Sequence, residues 1–301
     1  MTPPYQLSDQ AIGRYTELLA GRREKFVVVE GKIFRPYSRM AVPLGPASSD
    51  YTIATRTARQ IIRQLACPLA RWTNGFHPES ATNGWYSVIC REFIPTEKLK
   101  AKYRSEIVRG LNNCTVRPID ADYLAHHGHA VYASAAAGYG LSPQAVKGAE
   151  SFVAEHQVHA RFDDIVHNWG VFAGDRLIGY STNYVFDREE VFYSVVKFDP
   201  AHLRLYPSYA LFYTMNGHYL RDQQFQYVND GFRSILHDTS IQEYLIKKFN
   251  FHQAFTHLSV QYSPLMSAAM KVLFPAQRLV RRFDHRFDAL FELERIRRLK
   301  H

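Results

Sequence analysis

Cysteine is scarce in this chain, and its scarcity excludes two architectures. Cys67, Cys90 and Cys114 are odd in number and far apart, so they form no disulfide framework. No Cys-x-x-Cys or Cys/His spacing appears, which leaves no zinc motif, and a reducing compartment is the expected setting. No run of about 18 apolar residues could cross a bilayer. The opening MTPPYQLSDQ has no basic segment followed by an apolar run, so no signal peptide is read there. These absences place the chain in the cytoplasm, with the inner face of the membrane as a peripheral option. Glycine-rich and catalytic signatures are missing as well. Without Gly-x-Gly-x-x-Gly, a P-loop, Gly-x-Ser-x-Gly or His-Glu-x-x-His, dehydrogenase, nucleotidase, hydrolase and zincin readings lose their support. No internal repeat or low-complexity segment is evident.

What is present suits a globular protein. Of 301 residues, 46% are hydrophobic and 22% charged, and aromatics reach 14% with 20 Phe and 19 Tyr. That is enough apolar and aromatic surface to fill the seams between sheets and helices. The formal charge is +9, and it is uneven. Residues 271–301 hold nine Lys/Arg against four Asp/Glu, an excess of five. Such an excess suits an acidic partner, whether a membrane surface, a phosphorylated donor or RNA, and equally a solvated helix face.

The pattern along the chain alternates helices and strands. Ser8 caps a helix to Arg22 with Ile12, Tyr15, Leu18 and Leu19 at helical spacing. A hairpin follows about Glu30-Gly31, closed by Pro43, Gly45 and Pro46. Thr52 to Leu65 reads as a helix, and WYSVICREF as a strand. TEKLKAKYRSEIVRGLNN is an amphipathic helix whose stripe is Leu99, Tyr103, Ile107 and Leu111. Then come a strand (CTVRPI), a helix from Ala121, and a helix capped by Ser142 with Pro143 at its first position. WGVFAGDRLIGYSTNYVF contains a hairpin at Gly174-Asp175, and EVFYSVVKFDP is the next strand. SYALFYTMNGHYLRDQ is helical, FQYVNDG a strand, SIQEYLIKKFN a helix and QAFTHLSVQY one last strand. Two helical patterns close the chain, carrying Met270, Leu273, Leu279, Val280, Phe283, Phe287, Leu290, Leu293 and Ile296, and broken by Pro275.

This order resembles the GNAT acyltransferase fold, and three segments carry the likeness. WGVFAGDRLIGYSTNYVF resembles the GNAT hairpin. YVNDG is similar to the strand that ends the site, here at Asp230-Gly231. IQEYLIKKFNFHQA is similar to the closing helix. The basic helix KLKAKYRSEIVRGLNNCTVR resembles the one that precedes the second GNAT unit of FemAB-like proteins. The resemblance implies an α+β fold with mixed, mostly antiparallel sheet flanked by helices. A degenerate GNAT-related half, residues 1–112, is then followed by a fuller GNAT-type domain, residues 113–263, and by basic amphipathic helices, residues 264–301.

The same resemblance implies an N-acyltransferase or aminoacyltransferase acting on an amine of an envelope, lipid or sugar precursor. Its donor would be acyl-CoA, acyl carrier protein or aminoacyl-tRNA, with no tightly bound cofactor and no metal. The donor carbonyl would meet backbone N–H groups at Val195 and Val196 on the strand FYSVVKF. In the family a glycine-rich loop holds the carrier's pyrophosphate at a helix N-terminus. This chain has HLRLYPSYAL there, without glycine, so Arg204, Tyr206, Ser208 and Tyr209 stand where the carrier would bind. The family's acid, a Tyr in the closing helix, falls at Ile246, and Tyr244 lies two residues away. Those two departures also fit a binding protein that keeps the fold without catalysis.

Among side chains able to move a proton, Asp230 at a strand end, His237 and Lys197 are the catalytic candidates. Each has a plainer reading: Asp-Gly is a common turn pair, His237 a neutral loop residue, Lys197 a charge on a sheet face. His126, His127 and His129 fall on different sides of one helix and do not make a tetrahedral metal site. The closing helices carry an apolar stripe and a basic face, which fits docking on the body, pairing in a homodimer, or lying on an anionic membrane. The remaining partner is a small-molecule or lipid-linked amine acceptor; tRNA has no motif of its own.

Overall fold

The computed structural model describes residues 5–79, 82–138, 146–234, 240–278 and 287–299. The first part of the chain forms α1 (Asp9–Gly21), β1 (Val27–Val29), β2 (Lys32–Tyr37), β3 (Met40–Leu44), α2 (Thr55–Gln64), β4 (Leu69–Thr73) and β5 (Trp85–Cys90). Next come α3 (Ala101–Asn113), β6 (Thr115–Ile119), α4 (Ala121–Gly138), α5 (Ala149–His159), β7 (Val166–Ala173), β8 (Arg176–Phe186) and β9 (Glu190–Phe198). The remainder is α6 (Pro207–Asn216), β10 (Tyr227–Phe232), α7 (Ser240–Phe249), β11 (His252–Thr256), β12 (Leu258–Tyr262), α8 (Pro264–Leu273) and α9 (Asp288–Arg298).

The chain forms two compact units, each discontinuous in sequence. One takes Met1–Val88, Phe232–Ile241 and Gln253–His301; the other takes Ile89–Gly231 and Gln242–His252. The first unit carries a five-stranded sheet ordered β1-β2-β3-β4-β12. Ser8 caps α1 by accepting the Ala11 N–H, as its residue type and position lead one to expect. Glu30 and Gly31 both adopt positive φ, the backbone of a tight hairpin turn. Ser38 and Arg39 do the same, so a second hairpin joins β2 to β3. The sequence reading ran through that turn because neither residue is Gly or Asn. It also took 253–262 as one strand. The ladder instead breaks at His257, and β12 pairs with β4, with Asn83 bonding both the N–H and the carbonyl of Leu258.

Phe34, Ile61, Ile62, Leu65 and Trp72 build the core under α2. Leu69, Tyr262, Met270 and Phe291 form a second cluster, and Trp85, Leu258, Leu293 and Ile296 a third. The apolar stripe of α8 and α9 is thus packed inside this unit. Leu265 and Val272, on the outer side of α8, stay 82% and 72% exposed. Leu279, Val280 and Phe283 lie outside the described residues.

The second unit contains strands ordered β10-β9-β8-β7-β6, part of a seven-stranded sheet. All neighbours here are antiparallel except β9 and β10. On one face α4 and α5 supply Leu124, Val131 and Phe152 to a cluster with Phe172, Leu177 and Tyr180. On the other, α6 places Phe212 and Asn216 against Tyr193. The helix widens at its end into a π turn over Gly217–Asp222, a local change that brings His218 and Tyr219 onto Trp169 of β7.

Two details differ from the sequence pattern. Ile107 and Gly110, not Leu111, are the buried residues of α3, because α3 packs on α6 through its glycine while Leu111 faces solvent. Helix α5 starts at Ala149 with Gly148 in the N-cap position, later than a cap at Ser142 implies; Ser142 and Pro143 themselves lie outside the described residues.

Candidate active site

The site is built on an interruption in one strand. Strand β9 pairs with β8 from Glu190 opposite Phe186 to Phe198 opposite Gly179, but Asn183 meets Tyr193 while Thr182 meets Val195. Ser194 is therefore the extra residue of a β-bulge. Residues two apart on a regular strand share a face. The bulge breaks that rule: Tyr193 packs on Phe212 of α6, and Val195 packs in the α4–α5 cluster.

On its other edge β9 pairs in parallel with β10 at only three positions, Glu190, Val191 and Phe192 against Tyr227, Val228 and Asn229. Past that point the ladder stops, and the stretch from Ser194 to Phe198 has no β10 partner among the described residues. The closed end of this fork is held by Glu190, which is 1% exposed. Its carboxylate accepts the Tyr227 hydroxyl at 2.7 Å and the Asn229 amide at 2.9 Å. Asn229 in turn accepts the Gly231 N–H at 2.7 Å, and Gly231 takes φ +100°, which a side chain would strain. The pairing with β10 ends at Phe192, two residues before the bulge at Ser194.

Asp230 sits at the opening. Burial pushes its carboxyl up to about 7, and among the described residues no hydrogen bond or ion pair opposes that push. Its neighbours Tyr227 and Asn229 both reach Glu190, so by alternation Asp230 faces the α6 side, the side of Tyr193. Tyr193 is fully enclosed, and its hydroxyl donates to Asn216 Oδ1 at 2.8 Å. Burial holds that phenol well above its ordinary range, and the nearby Tyr219, Cys90 and Asp230 add to the effect. Farther along the same face, Tyr219 accepts from Trp169 at 2.8 Å and from Asn183 at 3.3 Å.

The other sequence candidates are dispersed. Lys197 lies on β9 opposite Tyr180, two residues past Val195, and so faces the α4–α5 side; burial lowers its ammonium from the usual lysine range. Lys197 and Asp230 thus look out on opposite sides of the sheet. Val195 and Val196 occupy the stretch without a β10 partner. His237 lies outside the described residues.

Arg204 is exposed on the 3-10 turn Pro200–Leu205. Tyr206, with φ +60°, accepts a hydrogen bond from Arg109 of α3 at 3.1 Å. The Ser208 hydroxyl is hydrogen-bonded to the Tyr244 hydroxyl of α7 at 3.1 Å. Tyr209 packs on Tyr244 and lies beneath the Lys248 ammonium, itself paired with Glu106 of α3. The first turn of α6 is therefore covered by α3 and α7. Tyr244 faces α6 within this aromatic group, so its position gives no acid at the fork.

Reading the sequence alone missed Tyr193, Asn216, Glu190 and Asn229, and the bulge that sets them apart. It also missed Asp199. That carboxylate ends β9, accepts Ser134 at 2.8 Å and His202 at 3.0 Å, and lies 3.4 Å from Arg176. Burial would raise it, but those hydrogen bonds and the one from the Ala201 N–H win, holding it below the ordinary carboxylate range. The pair Asp199-Pro200 is a helix-start signal that could have marked it. His126 and His127 are exposed on α4, while His129 bonds the Lys147 carbonyl, so the three do not converge.

No family model matches the sequence, and no curated protein matches it. Solved structures do. The C-terminal domain (DUF2156) of a putative lysylphosphatidylglycerol synthetase from Agrobacterium fabrum is 13% identical, over 88% of this chain and 96% of that one, with a TM-score of 0.55. FemX is 9% identical over 86% and 93%, also at 0.55. A conserved protein of unknown function from Bacteroides thetaiotaomicron is 14% identical over 82% and 89%, at 0.53. At such identities the likeness is one of fold. The chain shares the fold of these structures, an α+β arrangement of two mostly antiparallel sheets flanked by helices.

Proposed function

We propose that the protein is an N-acyltransferase or aminoacyltransferase that joins an acyl group to an amine at the fork between β9 and β10. The observation that carries this reading is Asp230, a carboxyl at the fork that has no hydrogen bond or ion pair among the described residues and whose proton affinity sits near neutral pH. A base with an apparent pKa near the working pH combines the right protonation state with enough driving force. In the reaction the amine nitrogen bonds to the acyl carbon, the bond to the donor's oxygen or sulfur breaks, and the amine's proton passes to Asp230 and then to the leaving group. Backbone N–H groups along Ser194 to Val196, freed from a β10 ladder, face the developing oxyanion. Tyr193 serves as a positioning residue, since its proton is already committed to Asn216.

Covering of the α6 start supports a donor that does not depend on that helix end. Gly110 of α3 lies so close that a Cβ there would be 2.7 Å from the Tyr206 carbonyl oxygen. Aminoacyl-tRNA or an acyl carrier protein fits that arrangement better than acyl-CoA, and the likeness to FemX and to a putative lysylphosphatidylglycerol synthetase domain supports the aminoacyl choice. The acceptor is a small-molecule or lipid-linked amine. The separation of Lys197 from Asp230, together with the covered helix start, favours a second reading, a non-catalytic binding protein that uses the same fork.

The deciding experiment offers labelled acyl-CoA, acyl carrier protein and aminoacyl-tRNA separately, each with a mixed panel of amines, and follows products by mass spectrometry. An amide product from aminoacyl-tRNA that disappears in Asp230→Asn is the expected result. No product with any donor, and no rise in the thermal midpoint with any, overturns the enzymatic reading.

A further inference from the structure

Helix α8 lacks the usual contrast between a buried and a solvated face. Its ten residues, PLMSAAMKVL, contain one charge and one hydroxyl, so apolar side chains occupy most of its circumference. A helix apolar nearly all round is normally enclosed. Here only the inner half is: Met270 is buried, and Met266, Leu273 and the following Phe274 pack on Leu69, Tyr262 and Phe291. The outer half is open. Leu265 and Val272 lie two helical turns apart and so share one side. They are the two most exposed large apolar side chains among the described residues. Pro264 and Ala268 are exposed on that side too and continue the stripe.

The charge beside the stripe has one sign. Residues 264–278 include Lys271 and Arg278, both exposed, and neither Asp nor Glu. From α9 the Arg298 guanidinium lies over the Phe274 ring, 4.1 Å from its centre, at the C-terminal end of α8. Helix α9 does carry acids, but its arginines cover them. Glu294 is buried and bonded by both Arg297 and Arg298, and the half-buried Glu292 is paired with Arg233 and Arg295. Asp288 is half-buried at the far end of α9, while Arg295, Arg297 and Arg298 stay exposed. The outward charge is therefore cationic.

Two features decide what covers the stripe. Two helical turns offer far less than the roughly 800 Å² that each partner contributes to a stable dimer. Cations bordering apolar side chains match a lipid surface, where phosphate overlies hydrocarbon. A nucleic-acid backbone would engage the cations and leave Leu265 and Val272 in water. Helix α8 is also too short to cross a bilayer, and no helix among the described residues is long and apolar enough to do so.

We infer that the outer face of α8 rests on an anionic membrane surface. Leu265 and Val272 enter the boundary between headgroups and acyl chains, and Lys271, Arg278 and Arg298 meet the lipid phosphates. The inference does not rest on acyl transfer, since Asp230 and the bulge of β9 belong to the other unit.

The test is co-sedimentation of the full chain with vesicles of phosphatidylglycerol and phosphatidylcholine in equal parts, and with vesicles of phosphatidylcholine alone. Binding to the anionic vesicles is expected, weaker by about tenfold or more on the neutral ones. Two double variants, Leu265→Gln with Val272→Gln and Lys271→Gln with Arg278→Gln, should each weaken it by about tenfold or more. All four side chains are exposed, so the variants keep their fold, which an unchanged thermal midpoint verifies. Absence of binding to the anionic vesicles overturns the inference. So does equal binding to neutral vesicles, or full binding by either variant. A dimer in light scattering that Leu265→Gln with Val272→Gln dissociates also overturns it, because a second copy would then cover α8.

Discussion

Tyr193 donates its hydroxyl hydrogen to Asn216 Oδ1 at 2.8 Å, and that bond fastens the bulged strand β9 to α6. Both residues are buried, at 3% exposure each. In Tyr193→Phe the Asn216 oxygen loses its donor in a place where water does not replace it. Leaving a buried acceptor unmet costs about 1–3 kcal/mol. For a chain of this size the thermal midpoint should fall by roughly 2–4 °C per kcal/mol. If the bond also sets the fork, transfer activity falls more than the midpoint alone explains; a variant with normal stability and normal rate would remove Tyr193 from the site.

Asp230 gives a prediction whose sign depends on pH. Its carboxyl is raised to about 7 in the folded protein, well above the ordinary aspartate value. Between roughly pH 4 and 7 the unfolded chain has released this proton while the folded one holds it, so stability falls as pH rises through that window. Above it both states are ionised, and the folded state carries a buried charge. Asp230→Asn removes the charge and should raise the midpoint at pH 8, by an amount on the order of 1 kcal/mol. At pH 4 the two proteins should melt together. Activity moves the opposite way: the wild-type rate rises through an apparent pKa near 7, and the variant loses about 10²–10⁴-fold. A variant less stable at pH 8 would contradict the buried-charge account.

Glu190 is expected to matter through acceptance alone. Tyr227 and Asn229 both donate to its carboxylate, and Asn229 cannot turn its amide round without losing the Gly231 N–H. Glu190→Gln keeps the volume but turns one acceptor into a donor that faces another donor. A loss of about 1.5–3 kcal/mol follows, the range for hydrogen bonds to a charged group. Urea unfolding should show a lower midpoint with an unchanged slope. Amide exchange should quicken at Tyr227–Phe232 more than in β7 or β8.

Much of the fold was legible because its signals are local. The Ser8 cap, the Glu30-Gly31 turn, the Gly174-Asp175 hairpin and the long strand ending at Phe198 each follow from a few adjacent residues. What was not legible depends on contacts distant in sequence. Nothing in SRMA marks a hairpin when Ser38 and Arg39 take positive φ without glycine. Nothing near Ser194 marks a bulge, because the evidence for it lies in the register against Thr182 and Asn183. Asp230 was nameable as a strand-end carboxylate, but its burial without a partner among the described residues could be seen only in three dimensions. Lys197 failed to join it for a matching reason: the bulge reverses which face the later residues of β9 present.

The covering of α6 by α3 can be tested with two glycines that look equivalent in sequence. Both Gly13 in α1 and Gly110 in α3 occupy helix interiors, where alanine is favoured by about 0.8–1 kcal/mol. A Cβ on Gly13 meets nothing within 4 Å, so Gly13→Ala should raise stability by about that amount. A Cβ on Gly110 would stand 2.7 Å from the Tyr206 carbonyl oxygen and 3.0 Å from the Ala210 nitrogen. Both are backbone atoms and cannot rotate aside, and overpacking of this kind costs about 1–3 kcal/mol. Since that cost exceeds the propensity gain, Gly110→Ala should lower the midpoint while Gly13→Ala raises it. A rise in both would mean that α3 does not rest on the start of α6. The argument for a donor other than acyl-CoA would then lose its basis, because that helix end would be open to a pyrophosphate.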